Sequence, residues 1–258
     1  MIAVGTSGFR YADWRGRFYP DDLAEDQMLA YYARHFRTVE LNFTYYGIPD
    51  PRVIERMVER TPEGFTFWAK ANEATTHRRD RSAAPQFNDA VAPAREAGRL
   101  AGILFQFPYS FHNTQRNRRY LACLADDFPH DPLVVEFRNA QWAKDAALGF
   151  LRHHGLGYCC VDEPDLEGLM PRAAVATAPV AYVRFHSRDA SKWYEGGGKE
   201  RYNYLYGRDE LEEWVPKTQK LAEKAEDVYI FFNNCHAGHA AVNAEQFKQL
   251  LADIGLIQ

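Results

Sequence analysis

The sequence predicts an α/β protein, a TIM-barrel-like (β/α)8 single domain spanning residues 1–258. Three observations carry this expectation. Eight short apolar runs rich in β-branched and aromatic residues alternate with amphipathic stretches, the pattern of βαβ units in a parallel sheet. A length of 258 residues matches the typical size of an eight-unit barrel. The units are evenly spaced, with no Pro/Gly/Ser-rich linker or low-complexity run dividing them. An open doubly wound sheet is the competing architecture, but Gly5-Thr6-Ser7-Gly8 is followed by Phe-Arg-Tyr, so the G-x-G-x-x-G turn is missing after the first strand.

In chain order, the predicted strands are Ile2–Ser7, Thr38–Asn42, Thr66–Ala71 and Gly102–Phe107, then Leu133–Phe137, Gly157–Asp162, Val180–His186 and Val228–Asn234. Predicted helices occupy Glu25–Phe36, Pro51–Arg60, Phe87–Leu100 and Arg116–Asp126, followed by Ala143–His154, Arg208–Ala225 and Asn243–Ile254. Each places apolar residues three and four apart, which gives one face to bury against a sheet.

Composition narrows the function classes. With 46% hydrophobic and 26% charged residues the chain is neither disordered nor fibrous. A net charge of −4 excludes a generally basic nucleic-acid coat. Cys123, Cys159, Cys160 and Cys235 form no C-x-x-C pair, a usage expected of reduced thiols. The first residues enter a strand pattern directly, without a basic and then apolar leader, and no apolar run approaches the roughly 20 residues of a membrane helix. A cytoplasmic protein with no membrane partner is expected.

Reading each strand at period two gives the strongest site signal. Glu40 and Asn42 share one face of the second strand, opposite Val39 and Leu41. Lys70 ends the polar parity of the third, and Gln106 that of the fourth. Glu136 and Arg138 share a face, Asp162 lies in line with Cys160, Arg184 and His186 with Tyr182, and Asn233 with Phe231. If the apolar parity meets the helices, these polar residues point into the barrel at the C-terminal ends of the strands. That is where (β/α)8 enzymes carry their catalytic residues. The bland alternative is a self-paired polar plug, since buried charges persist when they neutralise one another.

These blocks resemble the domain of unknown function 72 family. The resemblance begins with Gly5-Thr6-Ser7-Gly8, Tyr11, Trp14 and Phe18-Tyr19-Pro20, and continues through Thr38-Val39-Glu40-Leu41-Asn42, Thr44, Tyr46 and Pro49. It runs on through Phe67 to Lys70, Thr76-His77, Leu104-Phe105-Gln106-Phe107-Pro108, and Val135-Glu136-Phe137-Arg138 with Trp142. Tyr182-Val183-Arg184-Phe185-His186, Arg201 to Tyr206 and Phe231-Phe232-Asn233-Asn234 complete it. The resemblance implies a TIM-like barrel and no established activity. The chain departs from the family pattern at Phe9, where Trp is common, at Ser187, where Gly commonly follows the histidine, and at Asn203, where Asp is frequent.

Several chemistries fit the predicted mouth. Glu40, Glu136 and Asp162, with Lys70 or His186 as partner acid, suit acid–base catalysis. Lys70, Arg138 and Arg184 suit a phosphate or carboxylate. Ser7, Asn42, Gln106, Asn233 and Asn234 would orient a ligand, and Trp14, Tyr46, His77 and Tyr202 could stack on it. The expectation is an enzyme acting on a small anionic ligand, a phosphorylated or carboxylated sugar or nucleotide, with no cofactor.

Two alternatives stay open. One is a non-catalytic barrel binding a metabolite or nucleic acid; the basic clusters His77-Arg78-Arg79 and Arg116–Arg119 favour nucleic acid weakly, because helix starts explain them equally well. The other is a divalent-metal-dependent isomerase or phosphodiesterase using Glu136, Asp162 and His186. A standard glycosidase fits poorly, because the fourth and seventh strands end in Gln106 and in Arg184 and His186 rather than carboxylates. The loops after the seventh and eighth strands carry Gly196-Gly197-Gly198-Lys199 and the run Asn233–Gly238, which could admit a phosphate. The sequence does not decide the oligomeric state.

Overall fold

A computed structural model describes residues 1–194 and 198–257, and the side chains of all of these except residues 198 and 199. Eight strands form one parallel sheet: β1 (Ile2–Thr6), β2 (Thr38–Leu41), β3 (Thr66–Lys70), β4 (Leu100–Gln106), β5 (Leu133–Glu136), β6 (Gly157–Asp162), β7 (Val180–Phe185) and β8 (Asp227–Phe232). Their spatial order is β1-β8-β7-β6-β5-β4-β3-β2. The two end strands meet through one isolated parallel bridge, Ser7 to Glu40, which brings the sheet close to closure. Gly5 permits that approach, since a Cβ there would lie 2.3 Å from the Thr38 carbonyl oxygen.

The helices are α1 (Met28–His35), α2 (Phe43–Tyr46), α3 (Pro51–Glu59), α4 (Ala84–Glu96), α5 (Gln115–Asp127), α6 (Asp145–His153), α7 (Gly198–Arg201), α8 (Arg208–Glu212), α9 (Val215–Ala222) and α10 (His239–Asp253). Local chemistry sets their starts. Asp50 accepts the Arg52 N–H at the head of α3, with Pro51 at its first position, and Thr114 caps α5 by accepting from Asn117. The expected helix over Arg208–Ala225 is two helices. Pro216 sits in the first turn of α9, where its missing N–H costs nothing, and Trp214 stands at the junction, tied by its indole to Asp162.

Inside the barrel, aromatic rings fill the layer beneath the mouth. Trp68 packs edge-on against Tyr182 and Tyr229, with ring centroids 4.6 and 5.3 Å apart. Gly102 leaves room for that indole, because a Cβ would come within 2.5 Å of it. Side chains paired across neighbouring parallel strands share a face. Glu40 with Trp68, Lys70 with Leu104, Gln106 with Glu136, and Arg184 with Phe231 therefore all face inward.

Strand β6 breaks the expected parity. Its register partner for Arg184 is Val161, whereas Asp162 pairs with Phe185. Asp162 thus faces the helix layer and not the barrel interior. Sequence alternation labels two faces but does not say which one is inside. In β6 the inward positions hold Cys159 and Val161, so polarity pointed the wrong way.

Candidate active site at the barrel mouth

The floor of the mouth is an ion cluster centred on Arg184. This side chain is 1% exposed, yet its guanidinium has partners on β2, on β5 and at Ser7, the residue after β1. Nη1 donates to Glu136 Oε2 at 2.5 Å, and Nη2 to Glu40 Oε1 at 2.6 Å and Ser7 Oγ at 3.2 Å. The second Glu40 oxygen accepts from the Tyr182 hydroxyl at 2.7 Å. The second Glu136 oxygen lies 2.7 Å from Arg138 Nη2 and 3.2 Å from His186 Nε2. Every oxygen of both carboxylates is therefore engaged.

Electrostatics follow from this pairing. Burial alone would raise the Glu136 pKa, but Arg138, Arg184 and His186 together hold it well below the usual carboxylate range. Burial opposes the charge on Arg184, and Glu136 and Glu40 overcome it, so Arg184 stays cationic. His186 goes the other way: burial and the neighbouring Arg138 charge lower it to about 3, despite Glu136. A neutral imidazole facing an ionised carboxylate carries its proton on Nε2. Nδ1 is then free to accept from Asn233 Nδ2, 3.1 Å away.

Arg138 links this floor to the wall. Its Nη1 donates to Glu163 Oε2 at 3.2 Å, and its guanidinium stands 5.7 Å from the Trp193 ring centroid. Glu163 is fully buried and its other oxygen accepts the Met170 N–H at 2.9 Å. Burial pushes its pKa up to about 7, against the pull of Arg138.

A second group of residues forms a shelf beside the floor. Lys70 ends β3 with its ammonium 4.3 Å from the centre of the Tyr45 ring. The short helix α2 presents Tyr45 there because Asn72 Nδ2 donates to the carbonyls of Thr44 and Tyr45, while Thr44 Oγ1 donates to those of Leu41 and Lys70. After β3 the chain makes a π-helical turn over Ala74–Arg78, left through Arg79 at a φ of 56°. Such turns collect at functional sites because they redirect side chains. This one sets His77 Nδ1 3.3 Å from the Tyr45 hydroxyl. Burial, and then the Lys70 charge, lower the His77 pKa. Lys70 itself is lowered to about 8, by burial first and then by Arg184.

Floor and shelf open into a cleft of about 970 Å³, lined by Asn42, Tyr46, Lys70, Tyr202 and Asn233 together with Arg10, Tyr11, Asp13 and His236. The structure brings Glu40, Glu136, Lys70, His186, Ser7, Asn42, His77, Arg138, Arg184, Tyr202 and Asn233 together at this end of the barrel. Gln106 also faces inward, beside Glu136, and its amide donates to the Phe107 carbonyl. Tyr46 stands at the rim, 81% exposed.

Three expected site residues lie elsewhere. Asp162 faces outward and accepts from the Trp214 indole at 2.7 Å, the Tyr206 hydroxyl at 2.9 Å and the Arg188 guanidinium at 2.7 Å. It ties the segment after β7 to α9. Trp14 is fully buried, donates to the Cys235 carbonyl and stacks on Tyr11 and Tyr19, so it offers no face to a ligand. Asn234 is buried between Tyr204 and Asn243 as a loop brace.

With Asp162 turned away, the Glu136–Asp162–His186 metal set is not assembled. Among the described residues no three His, Cys, Asp or Glu side chains converge in a metal-holding group. In the glycine run after β7, Gly196 and Gly197 lie outside the described residues, as do the side chains of Gly198 and Lys199.

The sequence reading missed Glu163, Tyr45 and Asn72, and it placed Tyr182 on the inward face without giving it a role. Glu163 was within reach, since placing Val161 inward puts residue 163 inward too. Tyr45 and Asn72 carry no strand periodicity, and their roles depend on a turn of helix and a loop.

The family model "Protein of unknown function DUF72" matches residues 3–255. The chain belongs to the DUF72 family. The UPF0759 protein YunF of Bacillus subtilis (strain 168) is 33% identical over 270 residues, covering 97% of this chain and 95% of that protein. A DUF72 family protein from Thermotoga maritima MSB8 superposes with a TM-score of 0.91 at 40% identity, over 98% of this chain and 99% of that one. One from Enterococcus faecalis V583 gives 0.88 at 28% identity, over 98% and 96%. A xylose isomerase domain containing protein from Salmonella typhimurium LT2, 13% identical with a TM-score of 0.53 over 89% and 93%, shares the fold alone.

Ser187, directly after His186, is fully buried, and its hydroxyl accepts the Asp189 N–H at 3.0 Å, closing the turn that follows β7. No helix of the described chain is long and apolar enough to cross a membrane.

Proposed function

We propose that this DUF72 protein is an enzyme acting by acid–base catalysis on a small anionic molecule, a phosphorylated or carboxylated sugar or nucleotide, held at the C-terminal mouth of the barrel. The carrying observation is the state of Lys70. It lines the cleft, has no carboxylate partner among the described residues, and sits beside two carboxylates whose oxygens Arg184, Arg138, Tyr182 and His186 already occupy. An ammonium left without a counter-ion in a partly desolvated cleft attracts an anion. Its pKa near 8 also lets it give or take a proton close to neutral pH.

Glu40 and Glu136, the carboxylates favoured by sequence, serve in this reading to hold Arg184 and the floor in place. Glu136 is too strongly held as an anion to be an effective base. Asn42, Asn233 and Tyr202 supply polar and aromatic contacts for the rest of the molecule. The four unpaired thiols fit a reducing, cytoplasmic setting.

The test is a panel of phosphorylated and carboxylated metabolites, with inorganic phosphate as reference, screened by thermal shift and then by NMR for conversion. At least one anion is expected to raise Tm and be consumed, and Lys70→Met is expected to weaken its binding at least tenfold. A binder that is never converted would leave a binding protein in place of an enzyme. If no anion binds, or if Lys70→Met binds as tightly as the native protein, the reading is wrong.

A further inference from the structure

We propose that Lys70 is a carbonyl-directed nucleophile, so that the mouth takes an anionic aldehyde or ketone and joins it to Nζ as an imine. This rests on the anion-binding reading above and specifies the substrate class. The geometry is that of a reactive amine rather than a structural one. A structural lysine ends on a carboxylate or a carbonyl; Lys70 ends over the face of Tyr45, inside the cleft, with no carboxylate partner among the described residues. Its main chain is pinned by Thr44, and Tyr45 is held in turn by Asn72, so the amine approaches the cleft from a fixed direction. Burial, and then the Arg184 charge, favours the neutral amine, against the opposing pull of Glu136 and Glu40. Desolvation and a neighbouring cation are the two devices by which enzymes activate a lysine toward carbonyls.

The step balances without an added oxidant or reductant. The Nζ lone pair forms a bond to the carbonyl carbon as the C=O π bond breaks. The oxygen gains a proton and the nitrogen loses one, giving a carbinolamine. Its hydroxyl then leaves as water after protonation, and the nitrogen lone pair closes the C=N bond. His77, whose pKa is held down by burial and by Lys70 and which contacts the Tyr45 hydroxyl, is the neighbouring group suited to relay these protons. The anionic part of the molecule would remain near the cationic side of the mouth, where Arg138 is 12% exposed.

The test is reductive trapping with pyridoxal 5′-phosphate and with glyoxylate as probes, using sodium borohydride, intact mass and peptide mapping. One adduct is expected, on Lys70, formed at least tenfold faster than on any of the seven other lysines. Inorganic phosphate should slow it, and its rate should rise with pH through about 8. Lys70→Arg, checked for native circular dichroism, should lose that adduct while the slow surface labelling persists. Labelling spread evenly over the lysines, or unchanged fast labelling in Lys70→Arg, overturns the proposal. If phosphate binds at the mouth yet no Lys70 adduct forms, the carbonyl inference fails alone. If phosphate does not bind either, the anion reading fails with it.

Discussion

The floor around Arg184 and the shelf around Lys70 lie side by side at one mouth and obey opposite rules. On the floor, Arg184 and Arg138 face Glu40 and Glu136, each carboxylate is ion-paired, and the cluster bridges β2, β5 and β7 and reaches Ser7 just after β1. On the shelf, one ammonium has only an aromatic face. The difference teaches that charge within a barrel is not by itself a sign of chemistry. Paired charge is scaffold. The self-paired plug describes the floor residues, and the proposed site rests on the unpaired Lys70.

The sharpest break of this comparison is Arg184→Met. Removing the cation leaves Glu40 and Glu136 buried without it, a change that costs about 3–5 kcal/mol in comparable buried pairs. Denaturant unfolding should show a loss of that size, or no folded protein at all. The double variant Glu40→Gln, Glu136→Gln in the Arg184→Met background should recover part of it, because neutral amides do not carry the unpaired charge. A loss below about 1 kcal/mol for Arg184→Met would mean that the cluster is not scaffold.

Arg138 joins the two regions, and its second partner gives a pH test. Glu163 is raised from its ordinary value to about 7 by burial. The folded state therefore holds this proton more tightly than the unfolded chain does. The stability it contributes is fully present below about pH 4.5 and is lost as pH rises toward 7. Glu163→Gln imitates the protonated acid. Its unfolding free energy should exceed that of the native chain by about 2 kcal/mol at pH 7.5 and match it near pH 4.5. Equal differences at both pH values would show that Glu163 does not titrate with folding.

Much of the barrel was legible because periodicity is a local property. Eight runs of the right composition sufficed to place the strands, and α3 announces itself through Asp50 and Pro51. What periodicity lacks is an absolute direction. In β2, β5 and β7 the polar parity is the inward one, and Glu40, Glu136 and Arg184 were found. In β6 it is the outward one, and Asp162 was assigned to the mouth when it serves as an acceptor for Trp214, Tyr206 and Arg188. The shelf was legible only at Lys70 and His77. Tyr45 reaches its place through a four-residue helix braced by Asn72, a tertiary arrangement with no repeat in the sequence to reveal it.

The mildest test asks for an effect of opposite sign to that of Arg184. Lys70 is lowered to about 8 in the folded protein, from an ordinary value of 10.5, by burial and by Arg184. Below pH 8 the folded state carries an ammonium it holds less readily than the unfolded chain does. Between 8 and 10.5 the unfolded chain binds more protons, so stability rises with pH across that window. Lys70→Met removes the charge and keeps most of the apolar stem. At pH 7 it should be neutral or stabilising by about 1 kcal/mol, less than full linkage would give because cleft water and the Tyr45 face already ease the ammonium. The rise between pH 8 and 10.5 should shrink in the variant. A loss of 2 kcal/mol or more at pH 7 would instead make Lys70 a scaffold residue like Arg184, and the distinction between floor and shelf would collapse.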